Sequence, residues 1–352
     1  MNIFWFVLVL IVLVHQHELG HMVVAKMCGM RVERFSIFFG RPVWSFRRGE
    51  TEYGFGWLPL GGYVKITGMT REEQIPPEVE PRAYYAAPLR KKVAVIAAGP
   101  LVNIVLAFLV FSGIYWYGVP TGPVTTDVAI VQVDSPAHEI GLRPGDRMLS
   151  VNDVSAGGDP VVIQRELRSR PNQAVTVRFE RDGRVIERRV RLVSQELDGE
   201  TVGRLGFGFD RETEQYGVFA GLGKGGEFTW RVLRLNVEAV GQLVVSEEAR
   251  EQINTVVGIG AVFDEVADDG VQVMQLIGLI SLALGIFNLL PLLPLDGGHI
   301  LFGVIEKVKG RHISLAVYNR FAMVGMAVLL LIFFIAIQND IDLIRGDGLV
   351  ER

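Results

Sequence analysis

The chain has 352 residues, 49% of them hydrophobic, and a formal net charge of −4. This length accommodates one soluble domain beside a bundle of membrane helices, and so apolar a composition is typical of membrane proteins. The charge gives no reason to expect nucleic-acid binding, and the single cysteine, Cys28, excludes a disulfide within the chain.

Four apolar segments are long enough to cross the hydrocarbon core of a bilayer, which takes about 20 helical residues. The first has no positively charged start and no small-residue cleavage site, so we expect a retained helix rather than a signal peptide. Pro291 and Pro294 interrupt the third, and the fourth is short enough to need residues 314–320 as well. The sequence therefore predicts membrane helices over residues 3–26, 93–117, 271–295 and 321–337.

Basic residues are concentrated in two of the connections between these segments. Because positively charged loops stay in the cytoplasm, we expect both connections there. The N-terminus, the long region 118–270 and the C-terminus of this multi-pass protein are then extracytoplasmic. The basic residues are Arg31, Arg34, Arg41, Arg47, Arg48, Lys65, Arg90, Lys91 and Lys92 in the first connection, and Lys307, Lys309, Arg311 and Arg320 in the second.

Residues 35–69 lack helical periodicity and are rich in glycine and aromatic residues. This pattern predicts extended strands joined by turns, with a hairpin tip at residues 48–50. Together with the first two apolar segments, the region forms an N-terminal membrane core, residues 1–120. An ordinary surface hairpin is the alternative interpretation.

Residues 121–212 are predicted to form a soluble domain, in which Asp182-Gly183 is typical of a two-residue hairpin turn. We expect strands over 128–133, 147–151, 174–180 and 185–192, and a helix over 160–169. Residues 213–270 are predicted to be a linker, with an amphipathic helix over 229–245 and glycine-rich joints at 221–226 and 258–260. Residues 271–352 form a C-terminal membrane core.

The motif His17-Glu18-Leu19-Gly20-His21 lies inside the first apolar segment. Two histidines four residues apart share one helix face, so their imidazoles can bind one metal ion, and a glutamate after the first can serve as general base. Ionisable groups are costly at membrane depth and are by default functional. The motif therefore predicts a zinc hydrolase site; a membrane helix with stray polar residues is the alternative.

A catalytic zinc ion usually has three protein ligands and one open position, so a third ligand is needed. Asp296 follows the third apolar segment in the sequence Leu295-Asp296-Gly297. Two crossings separate the first helix from the third, so both run inward, and Asp296 can share one depth with His17 and His21. A helix cap at the membrane interface is the other interpretation of Asp296.

Four motifs along the chain are also found together in one known family. They are H-E-x-G-H at residues 17–21, P-L-G-G-Y-V-K at 59–65, G-P-x-x-N at 99–103 and N-x-x-P-x-x-x-L-D-G at 288–297. Over nearly the whole chain they resemble the site-2 protease family, and within it the bacterial members with a PDZ domain between the second and third helices. The resemblance implies a polytopic α-helical membrane protein with four transmembrane helices, a re-entrant β-hairpin and one extracytoplasmic PDZ-like α+β domain.

The resemblance further implies an activity and a site. Members of the family are zinc-dependent intramembrane endopeptidases that cut single-span transmembrane proteins, often anti-sigma factors, and the bacterial ones lie in the cytoplasmic (inner) membrane. It makes His17, His21 and Asp296 the ligands of Zn²⁺ and Glu18 the catalytic base. It also implies substrate binding by Asn288 and by a strand edge in the 35–69 hairpin; the edge residues are Gly54, Phe55, Gly56, Gly61 and Gly62.

His15 and Gln16 depart from the family pattern, in which an apolar residue more often precedes the motif. His15 is two residues from His17, which is about 200° around a helix of 3.6 residues per turn. We therefore expect His15 to lie off the metal.

The soluble domain resembles a circularly permuted PDZ domain. Residues 135–146 resemble its signature turn, and residues 205–209 resemble the loop that can receive a C-terminal carboxylate. Such domains bind an extended peptide by strand addition. The alternative is a steric filter that admits only trimmed substrates.

Two other classes of protein remain as alternatives. One is a PDZ-bearing membrane scaffold with a non-catalytic metal site, which metal content measured together with activity would identify. The other is a transporter with broken helices, which the lack of an inverted repeat disfavours.

Overall fold

The computed structural model describes residues 2–59, 61–69, 73–120, 122–197, 200–242, 256–267 and 269–345. It divides into two compact units: the membrane unit, Met1–Ile114 with Val218–Arg352, and the inserted unit, Tyr115–Gly217. The inserted unit is slightly longer than the predicted domain 121–212, because a bridge between Val119 and Glu214 ties its ends together. Residues 243–255 of the predicted linker lie outside the described residues.

Among the described residues, four helices are apolar and long enough to cross a membrane, as predicted: Phe4–Met27, Leu89–Tyr117, Gly270–Asn288 and Leu315–Ile341. The helices are α1 (Asn2–Met27), α2 (Leu89–Tyr117), α3 (Pro136–Glu139), α4 (Pro160–Arg168), α5 (Val218–Gln242), α6 (Val256–Val266), α7 (Gly270–Asn288), α8 (Asp296–Lys309) and α9 (Leu315–Arg345). The strands are β1 (Val32–Ser36), β2 (Phe39–Arg48), β3 (Thr51–Leu58), β4 (Tyr63–Ile66), β5 (Val124–Val131), β6 (Arg147–Val151), β7 (Val154–Ser155), β8 (Ala174–Arg181), β9 (Arg184–Arg191), β10 (Val193–Leu197), β11 (Glu200–Arg204) and β12 (Phe207–Arg211).

The third membrane helix, α7, ends at Asn288 rather than at the predicted residue 295. Proline lacks the N–H of a helical hydrogen bond and disfavours helical backbone in the residue before it, so Pro291 and Pro294 keep residues 289–295 out of the helix. A new helix, α8, begins at Asp296. The fourth membrane helix, α9, starts at Leu315, which confirms that it extends beyond residues 321–337.

The region between α1 and α2 contains a four-stranded sheet in the order β2-β3-β1-β4. β2 and β3 form an antiparallel hairpin whose turn contains Gly49 at φ +63°, which confirms the predicted tip at residues 48–50. β1 is parallel to β3 and antiparallel to β4. β2 and β4 are therefore the outer strands of the sheet, and β3 is paired on both sides only where β1 runs beside it, over Glu52, Tyr53 and Gly54.

The prediction of glycine-rich joints at 221–226 and 258–260 is wrong, because the first stretch lies inside helix α5 and the second inside helix α6. These glycines permit close packing instead of a turn. A methyl group on Gly225 would lie 2.6 Å from the backbone nitrogen of Ser112 in α2, and one on Gly260 would lie 3.3 Å from the ring of Phe6 in α1. Small residues commonly let membrane helices approach each other in this way.

The inserted unit contains a sheet in the order β12-β5-β6-β8-β9, with β7 beside β6. The predicted strands and helix are present within a few residues of their expected limits. Asp182 and Gly183 have φ values of 50° and 73°, as a type I′ hairpin turn requires. Apolar side chains of the sheet and of α4 form the core: Val128, Met148, Val151, Ile163, Leu167, Val175, Val177, Phe179 and Leu192.

A buried carboxylate, Asp146, is held in this unit by Arg181, whose guanidinium donates to its two oxygens at 2.6 and 2.7 Å. Burial raises the pKa of Asp146, but hydrogen bonds from Arg181 and from the backbone N–H of Arg143 outweigh it and leave the pKa below its usual value. The pair therefore stabilises the unit fully above about pH 4, the ordinary carboxyl pKa, and progressively less as the pH falls through the lower folded pKa.

Asp146→Asn is expected to lower the free energy of unfolding of the inserted unit by about 1–3 kcal/mol at neutral pH, because Arg181 loses its carboxylate partner. The variant should also lose the acid sensitivity that the pair confers. The measurement is hydrogen exchange of the β6 and β8 amides in the full chain. Asp127→Asn breaks the more exposed ion pair with Arg147 and serves as control; equal loss of protection in both variants would contradict the expectation.

Candidate active site

Two histidines lie one turn apart on the same face of α1, as the motif predicts. His17 and His21 are buried, with 6% and 5% of their surface exposed. Their Nε2 atoms are 3.2 Å apart, and both approach Oδ2 of Asp296, at 3.0 Å for His17 and 3.2 Å for His21. The structure thus brings the three predicted metal-binding residues together.

Asp296 reaches this position because the helix breaks between α7 and α8. It is the first residue of α8, and the helix has no side-chain cap at this end. Its carboxylate faces the two imidazoles, and the cap interpretation of Asp296 is therefore not favoured.

The three atoms fit a zinc ion. In a tetrahedral site with bonds of about 2.0–2.1 Å, two ligand atoms lie about 3.3 Å apart. The distances here are 3.0, 3.2 and 3.2 Å. Two imidazoles and one carboxylate also suit zinc chemically. Within the described part of the chain, this is the one group of three or more such side chains placed to hold a metal ion.

Hydrogen bonding prepares His21 to be a ligand. Its Nδ1 donates to the backbone oxygen of Val95 in α2 at 2.8 Å, which fixes the ring and leaves the lone pair of Nε2 for a metal. Nδ1 of His17 is buried and has no partner among the described residues. The orientation of His17 therefore depends on packing and on Asp296.

Glu18 lies beside the three residues but is not part of their cluster. Its carboxylate is near enough to the backbone N–H of Val64 in β4, and to His21 and Asp296, to interact with them electrostatically. A methyl group on Gly62 would lie 3.4 Å from Cγ of Glu18. The Glu18 carboxylate thus lies next to the site, in a position where it could serve as a general base.

Asn103 of α2 connects the helices that carry the site. It is fully buried, and its Oδ1 accepts a hydrogen bond from Nε2 of Gln16 in α1 at 3.2 Å. Its backbone oxygen accepts one from Oγ of Ser281 in α7 at 2.9 Å. Gln16, which departs from the family pattern, therefore joins α1 to α2 directly before His17.

Gly99 of α2 lies directly against the two histidines. A methyl group there would lie 2.6 Å from Cε1 of His21 and 2.8 Å from Nε2 of His17, in space that the ligands need. The sequence does indicate that this glycine has a special role. It precedes Pro100 inside an apolar helix, and glycine lowers the stability of a helix by about 1 kcal/mol relative to alanine. The motif alone, however, does not say what the glycine faces.

Gly99→Ala is expected to displace the histidine rings and to lower zinc affinity at least about tenfold, as loss of ligand positioning does in other zinc sites. The measurement is the zinc content of the purified protein under limiting zinc. Gly113→Ala is the matched control on the same helix, since a methyl group there meets nothing within 4 Å. Full zinc content in both variants would contradict the expectation.

Gly54, Phe55 and Gly56, predicted to belong to a substrate-binding strand edge, lie in β3. β2 pairs with all three on one side, whereas on the other side β1 pairs with Gly54 and, among the described residues, not with Phe55 or Gly56. A methyl group on Gly56 would lie 2.8 Å from the backbone oxygen of Phe38, so this glycine also serves the packing of the hairpin. The role of Phe55 and Gly56 as an edge stays a prediction.

The remaining predicted residues are placed near α1 or at the end of α7. A methyl group on Gly61 would lie 3.8 Å from the side chain of Val14, and one on Gly62 would lie beside Glu18. Nδ2 of Asn288 donates to the backbone oxygen of Leu284, one turn earlier in α7, at 2.9 Å. His15 is not part of the candidate metal cluster.

Comparison with known proteins extends over both units. The sequence profile described as Peptidase family M50 matches residues 5–332. Protein R01501 of Rhizobium meliloti (strain 1021), named as an inferred zinc metalloprotease, is 32% identical over 97% of this chain and 96% of its own length. Zinc metalloprotease Rip1 of Mycobacterium tuberculosis (strain ATCC 25618 / H37Rv) is 32% identical over 86% of this chain and 85% of its own.

Proposed function

Since this chain belongs to peptidase family M50 and is a zinc-dependent metalloendopeptidase, we propose that it cuts single-span membrane proteins within or near their transmembrane segment. One observation carries the proposal: His17 and His21 lie inside the apolar span Phe4–Met27. A peptide bond of a membrane segment would lie at the same depth. As an enzyme, the protein is neither a scaffold with a non-catalytic metal site nor a transporter.

The proposed roles follow from the chemistry of the side chains. His17, His21 and Asp296 would hold zinc, which when bound polarises the scissile carbonyl and lowers the pKa of water. Glu18 would take a proton from the attacking water and later give it to the leaving amine. A favourable interaction with the backbone N–H of Val64 would help to keep the carboxylate of Glu18 directed at that water.

A substrate helix has to unwind locally, because its peptide bonds are engaged in their own hydrogen bonds. We place the unwound segment over Gly61 and Gly62, which lie outside the strand ladders, with Gly62 beside Glu18. Phe39 is the first residue of the edge strand β2, and its ring would lie 3.6 Å from a methyl group on Gly61. The segment could therefore continue along the unpaired edge of β2. Asn288 would contact it from the end of α7.

The hairpin β2–β3 carries exposed aromatic side chains. Trp44, Phe46 and Trp57 expose 56%, 48% and 63% of their surface. Aromatic residues are favoured where protein meets the membrane interface. These side chains support the proposal that the hairpin re-enters the membrane from the cytoplasmic side.

The proposed location is a bacterial cytoplasmic membrane, with the N-terminus, the inserted unit and the C-terminus outside the cytoplasm. The basic residues of the two inner connections support this orientation. Anti-sigma factors, which are single-span proteins, would be one class of substrate.

The inserted unit would act as a PDZ-like domain. β12 is an edge strand of its sheet, and a cavity beside it is lined by Leu167 of α4 together with Leu205, Phe207 and Phe209. An extended peptide could add to β12 with its C-terminal carboxylate at residues 205–209. Such a domain could recruit substrates or exclude untrimmed ones.

Deletion of residues 122–210 is expected to leave zinc binding intact, because every proposed ligand lies outside them. If the unit filters, the variant should cut untrimmed substrates; if it recruits, cleavage of all substrates should slow. Zinc content and cleavage are measured on the same samples. Complete loss of zinc would mean that the unit is needed for folding of the membrane unit.

The test of the proposed function is co-expression with single-span membrane proteins, anti-sigma factors among them. Mass spectrometry then locates the new chain ends. The proposal expects ends within or near the apolar segment with the intact enzyme and none with Glu18→Gln. Cleavage only in water-exposed regions, or equal cleavage with Glu18→Gln, would overturn it.

A further inference from the structure

His15 lies on α1 three residues before Glu18, so the two side chains share a helix face. Its Nδ1 hydrogen-bonds to the backbone oxygen of Ile11. Because a carbonyl oxygen can only accept, the proton of the neutral ring is on Nδ1, and Nε2 carries a lone pair. His15 is therefore a hydrogen-bond acceptor directed away from Ile11.

This acceptor is buried and has no partner within the described part of the chain. Nε2 of His15 is shielded from solvent and makes no hydrogen bond to any of the described residues. The ring is held in an edge-to-face contact with Phe38, with ring centroids 6.3 Å apart. An unpaired polar atom fixed at membrane depth is unfavourable, and each such atom in a folded protein calls for a reason.

The unpaired nitrogen borders the place assigned to the substrate. A methyl group on Gly62 would lie 3.4 Å from Nε2 of His15, 3.4 Å from Cγ of Glu18 and 3.0 Å from the backbone oxygen of Ser36. Nε2 of His15 and Cγ of Glu18 are thus both at contact distance from one point, the position that a methyl group on Gly62 would take. Because Gly62 lies against Nε2 and helps to shield it, a chain segment that runs toward Glu18 reaches this nitrogen when Gly62 moves aside.

We propose that Nε2 of His15 accepts a hydrogen bond from one backbone N–H of the bound substrate, next to the peptide bond that is cut. The inference rests on the proposed function, because it needs an extended substrate beside Glu18. It makes His15 a substrate-binding residue that distinguishes an unwound segment, whose N–H groups are free, from a helix. It also predicts that proline, which lacks an N–H, is rejected at one substrate position.

The probe is a synthetic peptide of about 20 leucine and alanine residues with Asn-Gly at its centre, a length that crosses a bilayer. In a series of analogues, each amide near the cut bond, except that bond itself, is replaced by an ester, which removes the N–H and keeps the chain length. Zinc-loaded wild-type enzyme, His15→Phe and His15→Gln are compared. Phe keeps a ring without an acceptor, whereas Gln offers an amide oxygen.

We expect one ester position to lower kcat/KM of the wild type about tenfold, the effect of one buried hydrogen bond. His15→Phe should cut the all-amide probe about tenfold more slowly and show no further loss with that ester, while His15→Gln should recover part of the rate and of the ester sensitivity. Zinc content should be the same in all three.

Three results would overturn the inference. The wild type could show no ester-sensitive position, which would leave a water molecule as the partner of Nε2. The ester effect could persist undiminished in His15→Phe, or the His15 variants could lose zinc, which would give the residue a structural role. Failure of the wild-type enzyme to cut any form of the probe would instead count against the proposed function on which the inference rests.

Discussion

Replacement of Glu18 by glutamine is expected to lower proteolysis about 100- to 10,000-fold, the contribution typical of a general base. Zinc content should be unchanged, because Glu18 lies outside the cluster formed by His17, His21 and Asp296. Glutamine keeps the size of the side chain and can still interact with Val64 N–H through its amide oxygen, but it cannot take a proton. The separation of activity from zinc binding is the informative part of the result.

The measurement compares cleavage and zinc content in the same purified samples. Glu187→Gln in β9 is the matched control, since that side chain is exposed and pairs only with Arg178 at the surface of the inserted unit. It should cleave at the wild-type rate. Appreciable cleavage by Glu18→Gln would assign the base to another residue, and loss of zinc would make Glu18 a ligand.

Asp296→Ala is expected to lower zinc affinity at least about 100-fold, because it removes one of three protein ligands, a larger change than loss of a supporting contact. Cleavage should fall with it. The loss of zinc should reflect the missing ligand and not a weakened helix. The side chain of Asp296 makes no capping hydrogen bond at the start of α8, so its removal leaves that helix end unchanged.

His15→Ala provides the comparison for this experiment. It is another ionisable side chain of the same membrane region, and the structure places it outside the cluster. Under limiting zinc, Asp296→Ala should be nearly metal-free while His15→Ala stays loaded. Full zinc content in Asp296→Ala would assign the third ligand elsewhere.

The sequence was sufficient to predict the parts of the site that depend on helical periodicity and on topology. His17 and His21 share a face because they are four residues apart, and counting membrane crossings placed Asp296 at their depth, where the structure brings it beside them. The prolines at 291 and 294 predicted a break, and α8 does start at Asp296. The four membrane helices were predictable from length and hydropathy.

Features that depend on contacts between distant parts of the chain were not predictable. Gly225 and Gly260 were interpreted as joints because glycine is common in turns, yet each allows two helices to pack closely. Gly56 was interpreted as part of a strand edge, but local pattern does not show how far β1 runs beside β3, a pairing that ends at Gly54. Gly99 could be noticed in its motif, but only the packing of α2 against α1 shows that it faces the histidines.

X-ray absorption at the zinc edge, on the zinc-loaded Glu18→Gln variant, tests the proposed metal centre most directly. The expected spectrum has two imidazole nitrogens and one carboxylate oxygen at about 2.0–2.2 Å, with the remaining position taken by water. Asp296→Ala should remove that carboxylate contribution or the zinc itself. A third imidazole, for example from His15 or from His299, which lies in α8 three residues after Asp296, would contradict the assignment of His17, His21 and Asp296. So would a sulfur ligand, for which Cys28 is the only cysteine.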